Sequence, residues 1–362
     1  PSSSSPLLPV QSNEYFVLLG AGSAMGPLLA LMALGANIIA IDLNRSGIWD
    51  RLLKIARESS GKMYFPLTTP QSDVAANKLS SVAGCNLFTD PARIRNWLVD
   101  VVPNKRLTIG GYAYLDGALH VQVSVSMDAI MAGVSARRPD TRLCFLCSPT
   151  DVFVTTDEAA AAARVNYRES PLWQKVIEKA LGLLKPNFRR KVPSDNESMV
   201  EVVNGIVVEQ GPNYALAKRI QHWRAMLARS SGQCVSTNIA PSTATASVVH
   251  NASFAAAYGG MHKFKPMEVF MQQTSNAVMC ALMLNDVFFS SGAANPSTPL
   301  DNPTQLFRDG AFHGGIWRIG YRGGTIGVVS ASYFYLKKYG LVLLGALTAL
   351  SYFGFWLYTS TL

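Results

Sequence analysis

The chain has 362 residues, 49% of them hydrophobic and 15% charged, and its formal net charge is +9. That length accommodates one large domain or two ordinary ones, and so apolar a composition places part of the chain in lipid. The positive charge is spread out rather than gathered into long basic blocks and no nucleic-acid motif is present, which argues against nucleic acid and for an acidic surface such as anionic lipid.

Taken in chain order, "PSSSSPLLPVQSNEY" has neither a basic region nor a signal-peptide core, so residues 1–13 are expected to form a short flexible leader, the remainder of a cleaved targeting segment. From Tyr15, "YFVLLGAGSAMGPLLALMALGANIIAIDLNR" predicts a strand, a glycine turn, an apolar helix and a second strand ending at Asp42. Strands apolar on both faces suit a parallel sheet sandwiched by helices. A helix over "GIWDRLLKIARESSG" and a short strand "KMYFPL" follow. Next comes a helix in "TDPARIRNWLVDVV", with Thr89 and Asp90 as caps and Pro91 in its first turn.

The alternation continues through a strand "RLTIGGYAY", a helix "HVQVSVSMDAIMAGVSARR" and a strand "TRLCFLCSPTDVF". It predicts an α/β fold with a doubly wound parallel sheet. From about 155 to 211 the chain reads as a helical, charged insertion on the sheet's carboxyl edge, and "SPLWQKVIEKALGLLKPNFRRK" is its clearest amphipathic piece. Past it lie a helix beginning "GPNYALAKRIQHW", a strand and loop "GQCVSTNIAPSTATASVV", and a helix "KPMEVFMQQTSNAVMCALML". "FFSSGAANPSTPLDNPTQLF" is expected to be a loop and "GGIWRIGYRGG" a turn or short strand. From Gly340 to Leu362 no charge occurs, just after Lys337 and Lys338. Roughly 20 such residues cross a bilayer as a helix, so 336–362 are expected to be a C-terminal transmembrane anchor with the large domain, 14–335, on the positive-inside face.

The cysteines are Cys85, Cys144, Cys147, Cys234 and Cys280. The one CxxC lies in a strand, where residues three apart face opposite ways, and no second pair stands at metal-ligand spacing. Reduced thiols in a non-oxidising compartment are expected, with no metal.

In "GAGSAMG", the glycines Gly20, Gly22 and Gly26, with Ser23 between them, fall between a strand and a helix. There the backbone turns tightly and approaches a pyrophosphate, which free amides then hold. Asp42 could accept hydrogen bonds from an adenosine ribose and would repel a 2′-phosphate, which favours NAD; Arg45 nearby keeps NADP open. Tyr214 and Lys218 stand one helical turn apart. A phenol with a pKa near ~10 needs a nearby cation to act as acid or base at neutral pH, and the same lysine could hold a nicotinamide ribose. Ser148, ending its strand, is the hydroxyl that could polarise a carbonyl. Tyr333 and Lys337 repeat the spacing without that context and are expected on a membrane-proximal helix face.

In order, the glycine loop at Gly20, Asp42, Ser148, Tyr214 with Lys218, and the strand into "NIAPSTAT" resemble the short-chain dehydrogenase/reductase superfamily, from about Tyr15 to Leu284. The resemblance implies a Rossmann-like domain that binds NAD or NADP. Gly20 and Gly26 would line the pyrophosphate, Asp42 would meet the ribose, and Pro241 and Thr245 would border the nicotinamide. Ser148, Tyr214 and Lys218 would be the catalytic set. The sequence departs from the family at Leu19 and Ala24 in the loop, at "IGGYAY" in place of "NNAG", at Ser124 where a relay asparagine is common, at Ser242 after Pro241, and in the insertion between Ser148 and Tyr214.

Two functions follow as expectations. One is a membrane-anchored oxidoreductase acting on a lipophilic carbonyl or alcohol. The other is a catalytically weakened or inactive accessory subunit of a respiratory or photosynthetic complex, in a mitochondrial inner or thylakoid membrane.

Overall fold

Apolar strands that alternate with amphipathic helices can bury both faces only by lying side by side, and this chain does so. A computed structural model describes residues 13–187, 190–193, 199–206, 210–246, 248, 252–289, 291–308 and 313–340. β1 (Glu14–Leu19), β2 (Asn37–Ile41), β3 (Lys62–Tyr64), β4 (Arg106–Gly111), β5 (Arg142–Cys147) and β9 (Val235–Ile239) form a six-stranded sheet in the order β3-β2-β1-β4-β5-β9. Every pairing is parallel. The fold is therefore α/β with a Rossmann-like sheet, and the order of strands reverses between β1 and β4, where the carboxyl ends leave a crevice.

Side chains alternate across each strand. Val17 and Leu19 enter one layer and Phe16 and Leu18 the other. The first layer is closed by α4 (Pro91–Asp100), α5 (Ala118–Ser135) and α8 (Gly211–Ser230), through Ile94, Val123, Met127 and Ala225. The second is closed by α1 (Leu28–Ala33), α2 (Ser46–Arg57) and α10 (Gln272–Phe288), through Leu31, Leu52 and Met283. Cys144 faces the second layer and Cys147 the first, and all five cysteines are free. Asp90 stands at the start of α4, but its carboxylate accepts from the Asn86 amide instead of capping the helix.

The insertion is not purely helical. The strand expected over "TRLCFLCSPTDVF" divides: β5 ends at Cys147, and β6 (Val152–Thr155) joins β8 (Met199–Asn204) and β7 (Arg190–Pro193) in a separate antiparallel sheet. α6 (Asp157–Arg168) and α7 (Leu172–Val176) complete it, with α7 running on as a π turn to Leu181. Helical charge made the segment read as all helix, but β-branched "VFV" and "VEVV" carry the sheet.

Beyond α8, α9 (Ala252–Met261) packs on α11, which is helical over 323–340. "GGIWRIG" forms a 3-10 turn there rather than a strand. The two helices touch through glycine: a Cβ at Gly260 would lie 2.1 Å from the Ser330 carbonyl oxygen, and one at Gly259 2.5 Å from the Phe334 ring. Gly260→Ala is expected to lower the thermal midpoint, with overpacking of about 1–3 kcal/mol exceeding the helix-propensity gain of about 1 kcal/mol. Gly259→Ala meets a ring that can shift, so it should cost less in the same melting experiment.

Among the described residues no helix is long and apolar enough to cross a membrane. Residues 336–340 of the expected anchor lie in α11, and the rest of it, 341–362, lies outside the described residues, as does the leader over 1–12. Tyr333 does not stand on a bare face: its ring stacks on Trp173 of α7 with centroids 6.3 Å apart.

Candidate functional site

Gly20 ends β1 with φ +91°, and a Cβ there would sit 2.5 Å from the Ala113 amide nitrogen, so the β1–β4 crossing is closed around a residue without a side chain. The loop after it is tightly self-bonded. Gly20 and Ala21 donate to the Ile41 carbonyl at 2.9 and 3.0 Å, Ser23 donates to Gly20 at 3.0 Å, and Gly26 donates to Ser23 at 3.1 Å. Gly22 donates to Asp42 Oδ2 at 2.6 Å, while Asp42 Oδ1 takes the Leu43 amide at 2.8 Å. Arg51 donates to the Gly22 carbonyl at 2.8 Å, a contact that the sequence did not suggest.

The loop therefore differs from the expectation of a row of free amides leading into a helix. Pro27 delays α1 to Leu28, and the helix has only six residues. The amides of Ala24 and Met25 remain at the rim, donating to no described acceptor. Each Asp42 oxygen holds one amide and keeps capacity to accept further hydrogen bonds. Those two amides and that carboxylate are the groups that fit a pyrophosphate and a ribose; Arg45 is exposed beside them at the start of α2.

The far wall is close. Gln272 and Asn276 of α10 both donate to the Ala24 carbonyl, at 2.8 and 2.9 Å. Tyr112 lies over Gly110, whose Cβ would meet its ring at 2.3 Å, and its hydroxyl reaches Met283 Sδ at 3.4 Å. A cavity of about 20 Å³ lies between Met25, Tyr112, Asn238 and Asn276, room for about one water.

Across the crevice, Ser148 and Tyr214 come together. Ser148 is buried at the end of β5, near enough to the Tyr214 phenol to favour its ionisation, and lies 3.1 Å from its hydrogen-bond partner Thr150 Oγ1. The insertion does not hold them apart, because β6 and β8 pair antiparallel and return the chain to where it left. The Gly205 amide donates to the Asp151 carbonyl at 2.9 Å, and a Cβ on Gly205 would stand 1.8 Å from the Pro149 carbonyl oxygen. Lys218 Nζ lies 5.9 Å from the Tyr214 ring centroid and donates to the Leu146 carbonyl at 3.1 Å and Gln221 Oε1 at 3.3 Å.

The electrostatics differ from the sequence argument. Burial pushes the Tyr214 phenol up, only partly offset by nearby Ser148, and burial lowers Lys218. Desolvation outweighs the cation here because the ammonium is aimed at Leu146 and Gln221. Tyr214 is accordingly a proton donor at neutral pH. Burial pushes the adjacent Cys147 thiol up to about 12, leaving it protonated.

Ala240 at the end of β9 donates to the Cys147 carbonyl at 2.9 Å, which sets Pro241 beside the same strand end. The Pro241 carbonyl accepts from Thr243 Oγ1 at 2.8 Å, and the Thr245 amide donates to the Thr243 carbonyl at 2.9 Å. Burial pushes the Tyr258 phenol of α9 up to about 12, with nearby Tyr214 adding to the shift and Ser242 opposing it.

No family model and no curated protein matches this chain. The likeness to the short-chain family accordingly stands on the residues themselves.

Several groups at the site were not anticipated. His120 of α5 is buried, its ring centroid 5.5 Å from that of Tyr214 and 4.8 Å from that of Tyr114, and neither ring nitrogen has a hydrogen-bond partner among the described residues. One turn on, the hydroxyl of Ser124, which the sequence did single out, is likewise buried and unpartnered among them. Burial, with Lys218 adding to it, holds the imidazole down at about 4 against an ordinary 6.5. The folded protein thus binds His120's proton less readily than the unfolded chain, so stability falls as pH drops from 6.5 through about 4. His120→Phe is expected to flatten the thermal midpoint's pH dependence across that window, read by circular dichroism melts.

The second unforeseen group is a clamp. Asp151, three residues after Ser148, accepts from Arg219 Nε at 2.6 Å and from a second Arg219 nitrogen, and lies 3.1 Å from His222 Nδ1. Arg219 and His222 share one face of α8, which the i, i+3 spacing in "KRIQHW" shows; their partner on the strand side carried no sequence signal. The clamp ties the strand end bearing Ser148 to the helix bearing Tyr214.

Proposed function

We propose that the protein is a membrane-anchored NAD(P)-dependent oxidoreductase of the short-chain type, interconverting a carbonyl and a hydroxyl on a lipophilic substrate. The supporting observation is the meeting of Ser148, Tyr214 and Lys218 at the carboxyl edge of a doubly wound sheet, beside the glycine loop, across an insertion that could have separated them. When bound, the nicotinamide supplies or takes the hydride.

Ala24 and Met25 amides would hold the pyrophosphate between Gly20 and Gly26, with Ser23 at the rim and Gly22 setting the close approach of Asp42 to the ribose. Pro241 and Thr245 would border the nicotinamide end, and Lys218 would hold its ribose. Asp42 favours NAD and Arg45 leaves NADP open. Ser148 would donate to the carbonyl oxygen and orient it, and Tyr214, protonated at neutral pH, would deliver its proton to that oxygen in reduction; oxidation would need the Tyr214 phenolate to accept the alcohol proton, a form that burial disfavours, so the site favours reduction. Buried His120 packs on one side of Tyr214 and would shield the reacting bond there, while Tyr114, 50% exposed, stands at the solvent edge. Tyr258 of α9 interacts with Tyr214, and Gly259 and Gly260 of the same helix pack on α11, which supports a substrate approaching from that side. The large domain would lie on the positive-inside face of an organellar membrane, mitochondrial inner or thylakoid.

The test is fluorescence titration of the purified chain with NADH and NADPH, then turnover on long-chain aldehydes, ketones and steroid alcohols. Quenching of bound NADH and consumption by at least one class are expected; absence of both rejects the proposal.

A second proposal draws on the contact of Gln272 and Asn276 with Ala24 and on Tyr112 over Gly110, which leave the crevice narrow. In it the fold is a catalytically weakened or inactive accessory subunit of a respiratory or photosynthetic membrane complex. Native electrophoresis after gentle detergent extraction separates the two: co-migration with a large assembly and no nucleotide binding supports the subunit.

A further inference from the structure

The amphipathic segment of the insertion turns its apolar residues outward. α7 and its π turn bury Gln174 and half-bury Trp173 and Ile177, while Leu172, Val176, Leu181 and Leu183 are 79%, 52%, 63% and 49% exposed. The segment is firmly seated. Trp173 stacks on Tyr333, Gln174 donates to the Lys263 carbonyl at 2.9 Å, and the Arg322 amide donates to the Lys185 carbonyl at 2.9 Å. Tyr167 and Tyr321 both donate to Glu178, so the one acid between 170 and 187 is engaged inward. What remains outside is four aliphatic side chains with the exposed Lys179 and Lys185, while Lys175 is half-buried over the Tyr167 ring and donates to the Arg168 carbonyl at 3.2 Å; α11, on which Trp173 stacks, adds the exposed Lys337 and Lys338.

Two features identify what covers this face. Its charge is predominantly positive: Glu178 is engaged by Tyr167 and Tyr321, the exposed Glu169 stands at its start, and from Ile319 to Leu362 the sequence contains no acidic residue. The helix it packs on leads into the uncharged residues 341–362. Aliphatic side chains rimmed by lysines suit an interface of acyl chains and anionic headgroups, where the leucines leave water and the ammonium groups meet phosphate.

We infer that residues 172–185 are a second membrane contact, lying in the surface of an anionic bilayer beside α11. The inference rests on the anchored orientation proposed above and adds a lipid preference that the anchor alone does not impose. It also turns the α9 side of the candidate site toward the bilayer, because Gly259 and Gly260 pack on α11.

The test uses the full chain in nanodiscs of phosphatidylcholine, alone or with phosphatidylserine, carrying an environment-sensitive fluorophore at Leu181→Cys. The unsubstituted chain, labelled in parallel, gives the background from its own thiols. With phosphatidylserine, blue-shifted emission and a several-fold loss of iodide quenching are expected. Reversing the exposed Lys179 and Lys185 to Glu should return the probe to water. Each lysine near an anionic leaflet strengthens docking about fivefold, so losing two shifts the docked-to-free ratio by at least about 25-fold. A probe that stays in water while the chain remains with the lipid overturns this inference and leaves the anchor standing. A chain that does not stay with lipid overturns both. Burial of the probe that is indifferent to lipid charge also overturns it, and if that burial tracks protein concentration a second copy covers the face.

Discussion

Tyr214→Phe is expected to lower NADH- or NADPH-dependent turnover of a lipophilic carbonyl by about 10²–10⁴-fold, the usual contribution of a positioned proton donor. The substitution removes one oxygen. Ser148 keeps Thr150 as a partner and Lys218 keeps Leu146 and Gln221, so no buried group is orphaned. Nucleotide binding, whose proposed contacts through the loop amides, Asp42 and Lys218 do not include the Tyr214 oxygen, should be unchanged in a fluorescence titration, and the melting temperature should move little. Loss of turnover with both retained would assign the proton to Tyr214. Unchanged turnover would show that the phenol, whose ionisation burial already disfavours, takes no part.

Asp151→Ala is expected to act in the opposite pattern, with stability falling first. Removing one partner of a buried ion pair costs about 3–5 kcal/mol. Here the figure should be nearer about 2–3 kcal/mol, because the Arg219 side chain is 44% exposed and rehydrates. His222, 4% exposed, cannot, and it loses the one hydrogen bond that orients it. Its Nε2 has no hydrogen-bond partner among the described residues, and the ring packs against Phe153 and Phe307.

The pH dependence follows from the same contacts. His222 and Arg219 hold the Asp151 carboxyl down at about 2 against an ordinary 3.8, despite burial pushing the other way. That stabilisation is fully present above 3.8 and is lost as pH falls through about 2. Burial lowers His222 below 6.5, so its contribution is likewise present above that value and declines in acid. Urea unfolding of the parent and of Asp151→Ala should therefore differ most near neutral pH and converge in strong acid. Any turnover should also fall, since Ser148 loses the brace that sets it against α8.

The sheet was legible because its information is local. Apolar runs at Tyr15, Asn37, Arg106, Arg142 and Val235, separated by helical periods and a glycine turn, leave few topologies besides a doubly wound parallel sheet. The opposite orientations of Cys144 and Cys147 followed from the strand period alone. Candidate chemistry was legible only as a list: Ser148, Tyr214 and Lys218 are suitable residues, and nothing in their spacing says whether the insertion lets them meet. That depends on β6 pairing with β8, a contact between residues some fifty positions apart, whose only sequence trace is "VFVT" and "MVEVVN". His120 was invisible because a lone histidine on an apolar helix reads as core until the rings beside it are known.

By itself, then, the sequence determined the periodicities of the main sheet: which of its segments are strands and which are the helices between them, where the glycine turn falls, and that a long uncharged run follows Lys338. Tertiary structure decided three things that depend on long-range contact. The loop amides are largely spent on Ile41 and Asp42, the insertion closes on itself and brings Ser148 to Tyr214, and the amphipathic piece at Leu172 keeps its aliphatic side outward. The physical reason is common to all three. Periodicity reports which residues can share a face, while burial, hydrogen-bond completion and pKa depend on which distant group arrives opposite that face.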